Sequence, residues 1–255
     1  MKPSSPQSRF QPVAEHSRIR TIGVSAGEHG CGKSDFWLQG PSPVYVLSFD
    51  NGLEGVVEHV RERYPDKDIR VVQYDWLKRS TRLSGATEEA DRMDLAQEVL
   101  GQFNEDYEHA LQQARTVLVD KETDLWGIRI WAKLGSGQQS RYYGPLYDEA
   151  HAMVDLAIES DCTVGYIQSL KDEYQADKPT GRRTPRGCNR LGEWCFLAME
   201  HVRREGKFII NIDKCRQNTS LADESYTSLS KERLGLTFQE LGQMLLEGTS
   251  AEEWS

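Results

Sequence analysis

Apolar residues follow two different spacings along this chain, and the two spacings alternate. Short runs rich in Val and Ile, which are typical of buried strands, occur at residues 19–25, 44–50, 69–74, 116–119 and 163–168. Between them, apolar residues recur at the spacing of an amphipathic helix at residues 88–114 and 146–160. Residues 55–64 also predict a helix, and residues 33–39 predict a short one closed by Gly40 and Pro41. Strands and helices that alternate in this way predict an α/β fold, in which helices flank a mainly parallel central sheet.

The pattern changes in the last part of the chain. Residues 195–202 and 207–213 are two strand-like runs joined by a short polar turn, which predicts an antiparallel hairpin at the edge of the sheet. Polar residues, Gly and Pro fill residues 171–190, which predicts a long loop. The chain is again polar after residue 216, except that Thr237 precedes a helical pattern at residues 237–246.

Length, composition and charge limit the class of protein. The 255 residues predict a disordered tail at 1–17, one domain at 18–218 and a C-terminal tail with a short helix at 219–255. No apolar run is long enough to cross a bilayer and the first residues lack a signal peptide's apolar core, so we expect a cytoplasmic protein without a membrane partner. The five cysteines have no zinc-type spacing and suit a reducing compartment. The net charge of −9 argues against a uniformly positive surface but allows a local basic patch.

Residues 27–34, GEHGCGKS, match the phosphate-binding pattern GxxxxGK[ST] between a predicted strand and a predicted helix. Gly27 and Gly32 allow the backbone angles and close approach that point successive N–H groups at phosphate oxygens. Lys33 would bring a positive charge to the β- and γ-phosphates, and the Ser34 hydroxyl would ligate Mg²⁺. A chance match in a chain of this length is roughly a one-in-a-hundred event. The predicted nucleotide-binding residues are Gly27, Glu28, His29, Gly30, Cys31, Gly32, Lys33 and Ser34.

Acidic residues follow two of the predicted strands. A phosphate-loop enzyme needs a second carboxylate at the end of a neighbouring strand to hold Mg²⁺ through water, and Asp120 stands in that position. Asp50, at the end of the second strand, is a further candidate metal ligand. The base that activates the attacking water stays open among Glu122, Glu54 and Asp50. Glu122 would point to the same side as Asp120 if the strand continued.

Three polar residues later in the chain are candidates for coupling the nucleotide to other events. Gln168 closes an apolar strand, where its amide could sense a γ-phosphate and signal to the following loop. Lys214 and Arg216, two residues apart, would lie on the same side of an extended chain. They could reach the phosphates of a neighbouring subunit, as an arginine finger does.

The predicted loop contains an unusually basic segment. Its second half, TGRRTPRGCNR, has no acidic residue, although the whole protein is acidic. Arginine suits contacts with phosphate groups, which predicts that this segment binds DNA. The predicted DNA-binding residues are Lys178, Arg182, Arg183, Arg186 and Arg190.

Over residues 19–218 these motifs resemble the RecA-like branch of P-loop ATPases, and more closely the phage-encoded, AAA-type ATP-binding proteins of the single-strand annealing and recombination group. The resemblance is carried by GPSPVYVLSFDNGLEG, TVLVDKETDLW, TVGYIQSLKDEY with TGRR, and NIDKCRQN, which is similar to a Lys-x-Arg element that acts between subunits. It implies an ATPase that uses ATP and Mg²⁺, is stimulated by single-stranded DNA, forms a homo-oligomeric ring or filament, and serves phage recombination or replication. The family's usual base position is Gly52 here, which points to Glu54 instead.

Two other functions fit the same motifs. A P-loop kinase of small molecules would be a monomer with a mobile lid of arginines, a role that the TGRR segment could fill. A non-catalytic nucleotide-binding assembly protein would bind ATP without turnover. Hydrolysis that depends on DNA would distinguish the ATPase from both.

Overall fold

The protein is described by a computed structural model over residues 18–50, 52–83, 89–137, 139–175, 178–228 and 236–255; the tail predicted at 1–17 lies outside these ranges. The described strands are β1 (Ile22–Gly27), β2 (Val44–Ser48), β3 (Ile69–Gln73), β4 (Thr116–Asp120), β5 (Thr163–Gln175), β6 (Lys178–Arg186), β7 (Leu197–Arg204), β8 (Lys207–Cys215) and β9 (Glu224–Thr227). The described helices are α1 (Lys33–Leu38), α2 (Val56–Arg63), α3 (Trp76–Leu83), α4 (Glu89–Gln113), α5 (Glu122–Leu134), α6 (Gly144–Glu159), α7 (Leu191–Trp194) and α8 (Phe238–Leu245). Short 3-10 turns lie at Ser140–Tyr142, Thr219–Leu221 and Ala251–Trp254. Among the described residues, no helix is long and apolar enough to cross a membrane.

The strands form one sheet in the order β3-β2-β4-β5-β1-β7-β8-β9, and β6 pairs with β5 outside this path. The pairs from β3 to β7 are parallel, whereas β8 is antiparallel to β7 and β9 is antiparallel to β8. The predicted α/β fold, with its mainly parallel sheet, flanking helices and antiparallel edge hairpin, is therefore confirmed. Because β5 lies between β1 and β4, the carboxyl ends of these three strands meet at one edge, where ligands of open α/β sheets bind.

Helices cover both faces of the sheet, as the alternation of side chains along its strands requires. On β4, Val117 and Val119 join the core beneath α4, α5 and α6, whereas Leu118 joins the opposite core with α1, α2 and α8. The short helix α1 is anchored by Trp37, whose ring lies against Gly165 of β5 so closely that a Cβ there would overlap it. This packing fixes the helix that follows the phosphate-binding motif.

The C-terminal segment belongs to this core. The Phe238 ring of α8 lies 5.5 Å from the Phe36 ring and 5.6 Å from the Trp37 ring, and Trp254 is fully buried. Strand β9 also follows residue 218 and pairs with β8. The predicted boundary at 218 therefore does not separate the domain from its tail, because the apolar face of α8 covers α1.

Several segments differ from their predicted structure, and α3, α7 and β9 are elements that the sequence pattern did not predict. Most of the predicted loop at 171–190 instead forms strands: residues 169–175 at the end of β5 pair with residues 178–186 of β6 as a two-stranded antiparallel ribbon, which we call the β5–β6 ribbon. Gly and Pro are tolerated there because both faces of the ribbon are open to solvent over much of its length. Helix α5 was not predicted, although Leu125, Ile128 and Ala132 are buried at helical spacing.

Candidate nucleotide-binding site

A cleft of about 840 Å³ opens at the carboxyl ends of the parallel strands. The phosphate-binding motif forms its floor. The cleft brings together the following residues that the sequence analysis singled out: Gly27, Glu28, His29, Gly30, Cys31, Gly32, Lys33, Ser34, Asp50, Asp120 and Arg183. Its walls also contain residues that the sequence analysis did not single out, among them Lys121, Leu170 and Phe208.

The phosphate loop has the backbone that its glycines permit. Gly30 and Gly32 have φ of 70° and 88°, in the left-handed region that favours glycine. A Cβ on Gly27 would collide with the main-chain oxygen of His201 on β7, which leaves no room for another residue. The Lys33 ammonium donates hydrogen bonds to the carbonyl oxygens of Gly27, at 3.0 Å, and Glu28, at 2.6 Å. The loop therefore holds its lysine against neutral acceptors at the cleft.

Ser34 and Asp120 meet across the cleft, although they lie far apart in the sequence. The Ser34 hydroxyl donates to Asp120 Oδ1 over 3.3 Å, and the Ser48 hydroxyl donates to Asp120 Oδ2 over 3.4 Å. Burial, together with the negative charge of Asp50, raises the pKa of Asp120 to about 6. A nearby cation would offset this cost, because it favours the charged carboxylate.

The oxygen atoms of Ser34 and Asp120 are of the kind that Mg²⁺ prefers. Among the described residues, no group of three or more His, Cys, Asp or Glu side chains forms a metal cluster. The donor set therefore fits an ion that takes its remaining ligands from phosphate and water, as Mg²⁺ commonly does.

Lys121 is a residue of this cleft that the sequence analysis missed. Its φ of 62° is unusual for a lysine and turns the chain sharply from β4 into α5. Its ammonium lies 2.6 Å from Asp50 Oδ2 and 3.8 Å from Asp124 Oδ2. The lysine thus ties the end of β2 to the end of β4. A Lys after a strand-ending Asp carries no sequence signal, because its role depends on this turn.

Glu122 is held behind the cleft and not within it. The strand ends at Asp120, so the condition under which Glu122 would share a strand face with Asp120 is not met; Glu122 instead begins α5. The buried Glu122 carboxylate accepts a 2.7 Å hydrogen bond from Gln168 Nε2, and Cys188 N donates to both its oxygens over 3.4 Å. Burial raises the pKa of Glu122 to about 7, although the bond from Gln168 and the charge of Arg129 oppose the shift.

Gln168 connects this buried acid with the base of the ribbon. Besides Glu122, its amide Nε2 donates to the Cys188 carbonyl oxygen over 2.9 Å. Gly187 lies so close that a Cβ there would collide with Glu122 Oε2. The predicted sensor therefore does not close its strand, because β5 continues from Gln168 into the ribbon, and its amide points to Glu122 and the chain after the ribbon.

The three candidate bases lie in three different environments. Glu54 is exposed and lines a separate depression between α2 and β3, outside the phosphate cleft. Asp50 lines both the cleft and that depression, and its carboxylate is paired with Lys121. Glu122 is buried. Of the three, Asp50 is therefore the one that lines the cleft.

The structure separates the predicted DNA-binding residues into three groups. Arg183 turns toward the cleft, where its guanidinium forms an ion pair with Glu28 of the phosphate loop. Lys178, Arg182 and Arg186 are exposed on the ribbon. Arg190 lies beyond the ribbon at the start of α7, where it pairs with Glu193 at 3.2 Å.

Lys214 and Arg216 lie at the opposite edge of the sheet from the phosphate loop of the same chain. Strand β8 runs antiparallel to β7, so its last residue, Cys215, pairs with Leu197, the first residue of β7. The Lys214 ammonium donates to three main-chain oxygens around the end of α7, at 2.6 to 2.9 Å. The Arg216 guanidinium donates to the Glu193 oxygen at 2.5 Å. Within one chain, both cations therefore bind the carbonyl end of α7.

His201, also missed by the sequence analysis, is buried beside the phosphate loop because β7 pairs it with Gly27. Trp37 Nε1 donates to Ser25 Oγ over 2.8 Å, and that oxygen lies 3.1 Å from His201 Nε2. Among the described residues, His201 Nδ1 has no hydrogen-bond partner. Burial, with a smaller contribution from the Lys33 charge, lowers the pKa of His201 to about 3.

We expect His201 to make the fold sensitive to acid. Below pH 6.5 the unfolded chain binds a proton at this histidine, whereas the folded protein does so only near pH 3. Between pH 6.5 and about pH 4, wild type should lose roughly 3 kcal/mol more free energy of unfolding than His201→Gln. Denaturant unfolding of both proteins at pH 7 and pH 4 measures this difference. Equal losses in the two proteins would contradict the prediction.

No family model matches the chain, and no curated protein does. Among solved structures, the fold is similar to that of the RadB recombinase, with a TM-score of 0.46 and 11% sequence identity. The similarity covers 83% of this chain and 88% of the RadB chain.

Proposed function

We propose that this protein binds ATP with Mg²⁺ and hydrolyses it, as a RecA-like ATPase that acts on single-stranded DNA. The observation that carries the proposal is the meeting of Ser34 and Asp120, 3.3 Å apart at one end of the phosphate loop. A phosphate loop beside a strand-ending carboxylate is the arrangement that phosphoryl transfer requires.

The residues of the cleft divide the work of phosphate binding. The main-chain N–H groups of the loop and the Lys33 ammonium bind the phosphates. Ser34 and Asp120 would hold Mg²⁺, with Asp50 in its surroundings, and the ion supplies positive charge that stabilises the transferring phosphoryl group. Lys121 holds Asp50 in place through their 2.6 Å ion pair.

The strand order supports the RecA-like assignment. Strand β5 lies between the strand of the phosphate loop and the strand of Asp120, and Gln168 stands where β5 leaves the core. The same strand continues into the β5–β6 ribbon. A change at the nucleotide can therefore reach the ribbon along one continuous piece of chain.

The ribbon offers the cations for a DNA contact. Lys178, Arg182 and Arg186 are exposed, and among the described residues none of the three forms an ion pair with a carboxylate. Such cations are free to bind the phosphates of a nucleic acid. We propose that the protein acts on single-stranded DNA during phage recombination or replication in the host cytoplasm.

DNA binding by the ribbon gives the test of this function. Single-stranded DNA should stimulate hydrolysis by wild type, and Arg182→Ala/Arg186→Ala should reduce both the stimulation and the affinity for an oligonucleotide. Each lost phosphate contact should lower the slope of log affinity against log salt by about 0.7. Steady-state ATPase rates and oligonucleotide binding at two salt concentrations measure both effects. The exposed Arg204→Ala serves as the control, and hydrolysis that ignores DNA would contradict the proposal.

The position of Arg183 also favours a second function, that of a small-molecule kinase. Arg183 reaches the phosphate loop from the ribbon, and the lid of a small-molecule kinase would bring an arginine to the phosphates in the same way. A kinase would transfer the phosphoryl group to an acceptor, would release little free phosphate in its absence, and would not respond to an oligonucleotide. A protein that binds ATP without any turnover would instead support the assembly-protein alternative.

The homo-oligomer stays a prediction, as does the role of Lys214 and Arg216 between subunits. If Arg216 acts across an interface, Arg216→Ala should suppress hydrolysis with little loss of ATP affinity. Mixing it with Lys33→Ala should then restore part of the activity, because some interfaces pair an intact loop with an intact arginine. The present hydrogen bonds to α7 would have to break for this role. No rescue, together with a monomeric mass in ATP, would contradict it.

A further inference from the structure

The β5–β6 ribbon closes over the phosphate loop through one side chain. The Arg183 guanidinium is ion-paired with the Glu28 carboxylate, and its Nε lies 3.5 Å from Asp172 Oδ1 of the paired strand. Glu28 is the second residue of the phosphate-binding motif. The contact therefore places a guanidinium at the rim of the surface that would receive phosphates, and Arg183 lines the same cleft as Lys33.

The geometry of the ribbon separates Arg183 from the other ribbon arginines. Asp172 pairs with Arg183 and Leu170 pairs with Pro185, and Leu170 also lines the cleft. Successive residues of a strand point to opposite faces, so Arg186 lies on the face opposite to Arg183. Arg183 thus lies on the ribbon face that carries Leu170 and Asp172, whereas Arg186 lies on the other face, opposite Ser169, which lines the cleft at the base of the ribbon.

The charges of the cleft show that Arg183 is available to a ligand. The lysines and arginines that line the cleft are Lys33, Lys121 and Arg183. Lys121 is committed to Asp50 at 2.6 Å. The partners of Arg183, in contrast, are two largely exposed carboxylates, Glu28 and Asp172. Exposed ion pairs are weak, whereas phosphate accepts two parallel hydrogen bonds from one guanidinium.

We infer that Arg183 binds the terminal phosphate of the nucleotide within the same chain, and that Glu28 holds the arginine at the cleft when that phosphate is absent. The inference rests on the proposed nucleotide-binding function and adds a phosphate ligand from the ribbon. Because ATP and Glu28 compete for one guanidinium, the terminal phosphate draws the ribbon away from Glu28. The presence of that phosphate thereby sets the position of the ribbon and of the exposed cations that it carries.

The test compares ATP and ADP binding, with Mg²⁺, in Arg183→Ala, Glu28→Gln and the control Arg204→Ala. Arg183→Ala should weaken ATP binding about ten- to a hundredfold, as expected for one charge-assisted contact, and should change ADP binding much less. Glu28→Gln should tighten ATP binding, because it removes the competing carboxylate. Arg183→Lys should restore only part of the affinity, since an ammonium cannot bind in two parallel bonds. Arg204→Ala should bind both nucleotides as wild type does.

The opposite changes in ATP affinity expected for Arg183→Ala and Glu28→Gln distinguish a phosphate ligand from a contact that only supports the ribbon. Arg183→Ala and Glu28→Gln both break the same ion pair, so a supporting contact would weaken binding of both nucleotides in both variants. That result, or an unchanged ATP affinity in Arg183→Ala, would overturn the inference. The proposed function would still stand if ATP binding by wild type depended on Lys33. Wild type that binds no nucleotide, or a Lys33→Ala variant with full affinity, would overturn the proposed function and this inference with it.

Discussion

Lys33→Ala is expected to abolish ATP hydrolysis and leave the fold intact. Within the part of the chain that the structure describes, the Lys33 ammonium donates hydrogen bonds to the loop carbonyls of Gly27 and Glu28 and to the Cys31 sulfur, so its removal costs the core little. Loss of a single group that stabilises developing charge lowers turnover by about 10²- to 10³-fold. Steady-state ATPase rates and thermal unfolding of the same preparation measure the two parts of the prediction.

Lys78→Ala is the matched control. Lys78 is an exposed lysine of α3 whose partner is Asp75, at 3.5 Å, and it does not line the cleft. Its removal should change neither turnover nor the unfolding temperature appreciably. Hydrolysis at the wild-type rate by Lys33→Ala would mean that the phosphate loop is not the site of the reaction.

Glu122→Gln should bind ATP normally and hydrolyse it more slowly than wild type, with the roughly 10²- to 10⁴-fold loss expected for a general base as the upper limit. The substitution keeps the size of the side chain but removes the charge that accepts hydrogen bonds from Gln168 and Cys188. The fold should survive, because burial already disfavours the charged carboxylate. Glu54→Gln should hydrolyse ATP nearly as wild type does, since Glu54 lies outside the cleft. ATP affinity and single-turnover rates of both variants measure these effects.

A third variant distinguishes a base from a positioning residue. Gly187 and Cys188 cover Glu122, so we expect the acid to act through Gln168 and not by contact with water. Gln168→Ala should then be slow as well, and the double variant should be no slower than either single variant. Additive losses would identify Glu122 as an independent base. If Glu54→Gln is the slow variant, or if neither is, our assignment is wrong, and Asp50→Asn becomes the next test.

The predictable parts of this protein are those that local sequence determines. The runs of β-branched residues predicted the parallel strands. A strand such as β1 is buried along its whole length, and such a strand needs a nearly continuous run of apolar or small residues. The phosphate loop is a contiguous motif, and Asp120 follows from its place at a strand end. Their meeting at one edge then follows from the parallel sheet.

The parts that escaped prediction depend on neighbours distant in sequence. His201 lies beside the phosphate loop only through the register that pairs β7 with Gly27. Strand β6 contains Gly and Pro, which favour a loop locally. Its pairing with β5 cannot be predicted from either strand alone. The burial of Glu122 depends on Gly187 and on the start of α5, neither of which the sequence pattern indicates.

Strand β5 runs from the buried core at Thr163 to the exposed Gln175, with one irregularity in its pairing with β6 between Asp172 and Tyr174. The seven residues beyond Gln168 extend over roughly 23 Å, at about 3.3 Å per residue. A rotation about the hydrogen-bonded pair of Gln168 and Glu122 would move this part of the strand as a lever arm. A tilt of about 10° at the pivot would sweep the tip through roughly 4 Å, about the spacing of adjacent strands. A rotation too small to disturb the phosphate loop would thus move the far end of the strand far enough to present a different part of the ribbon to a partner.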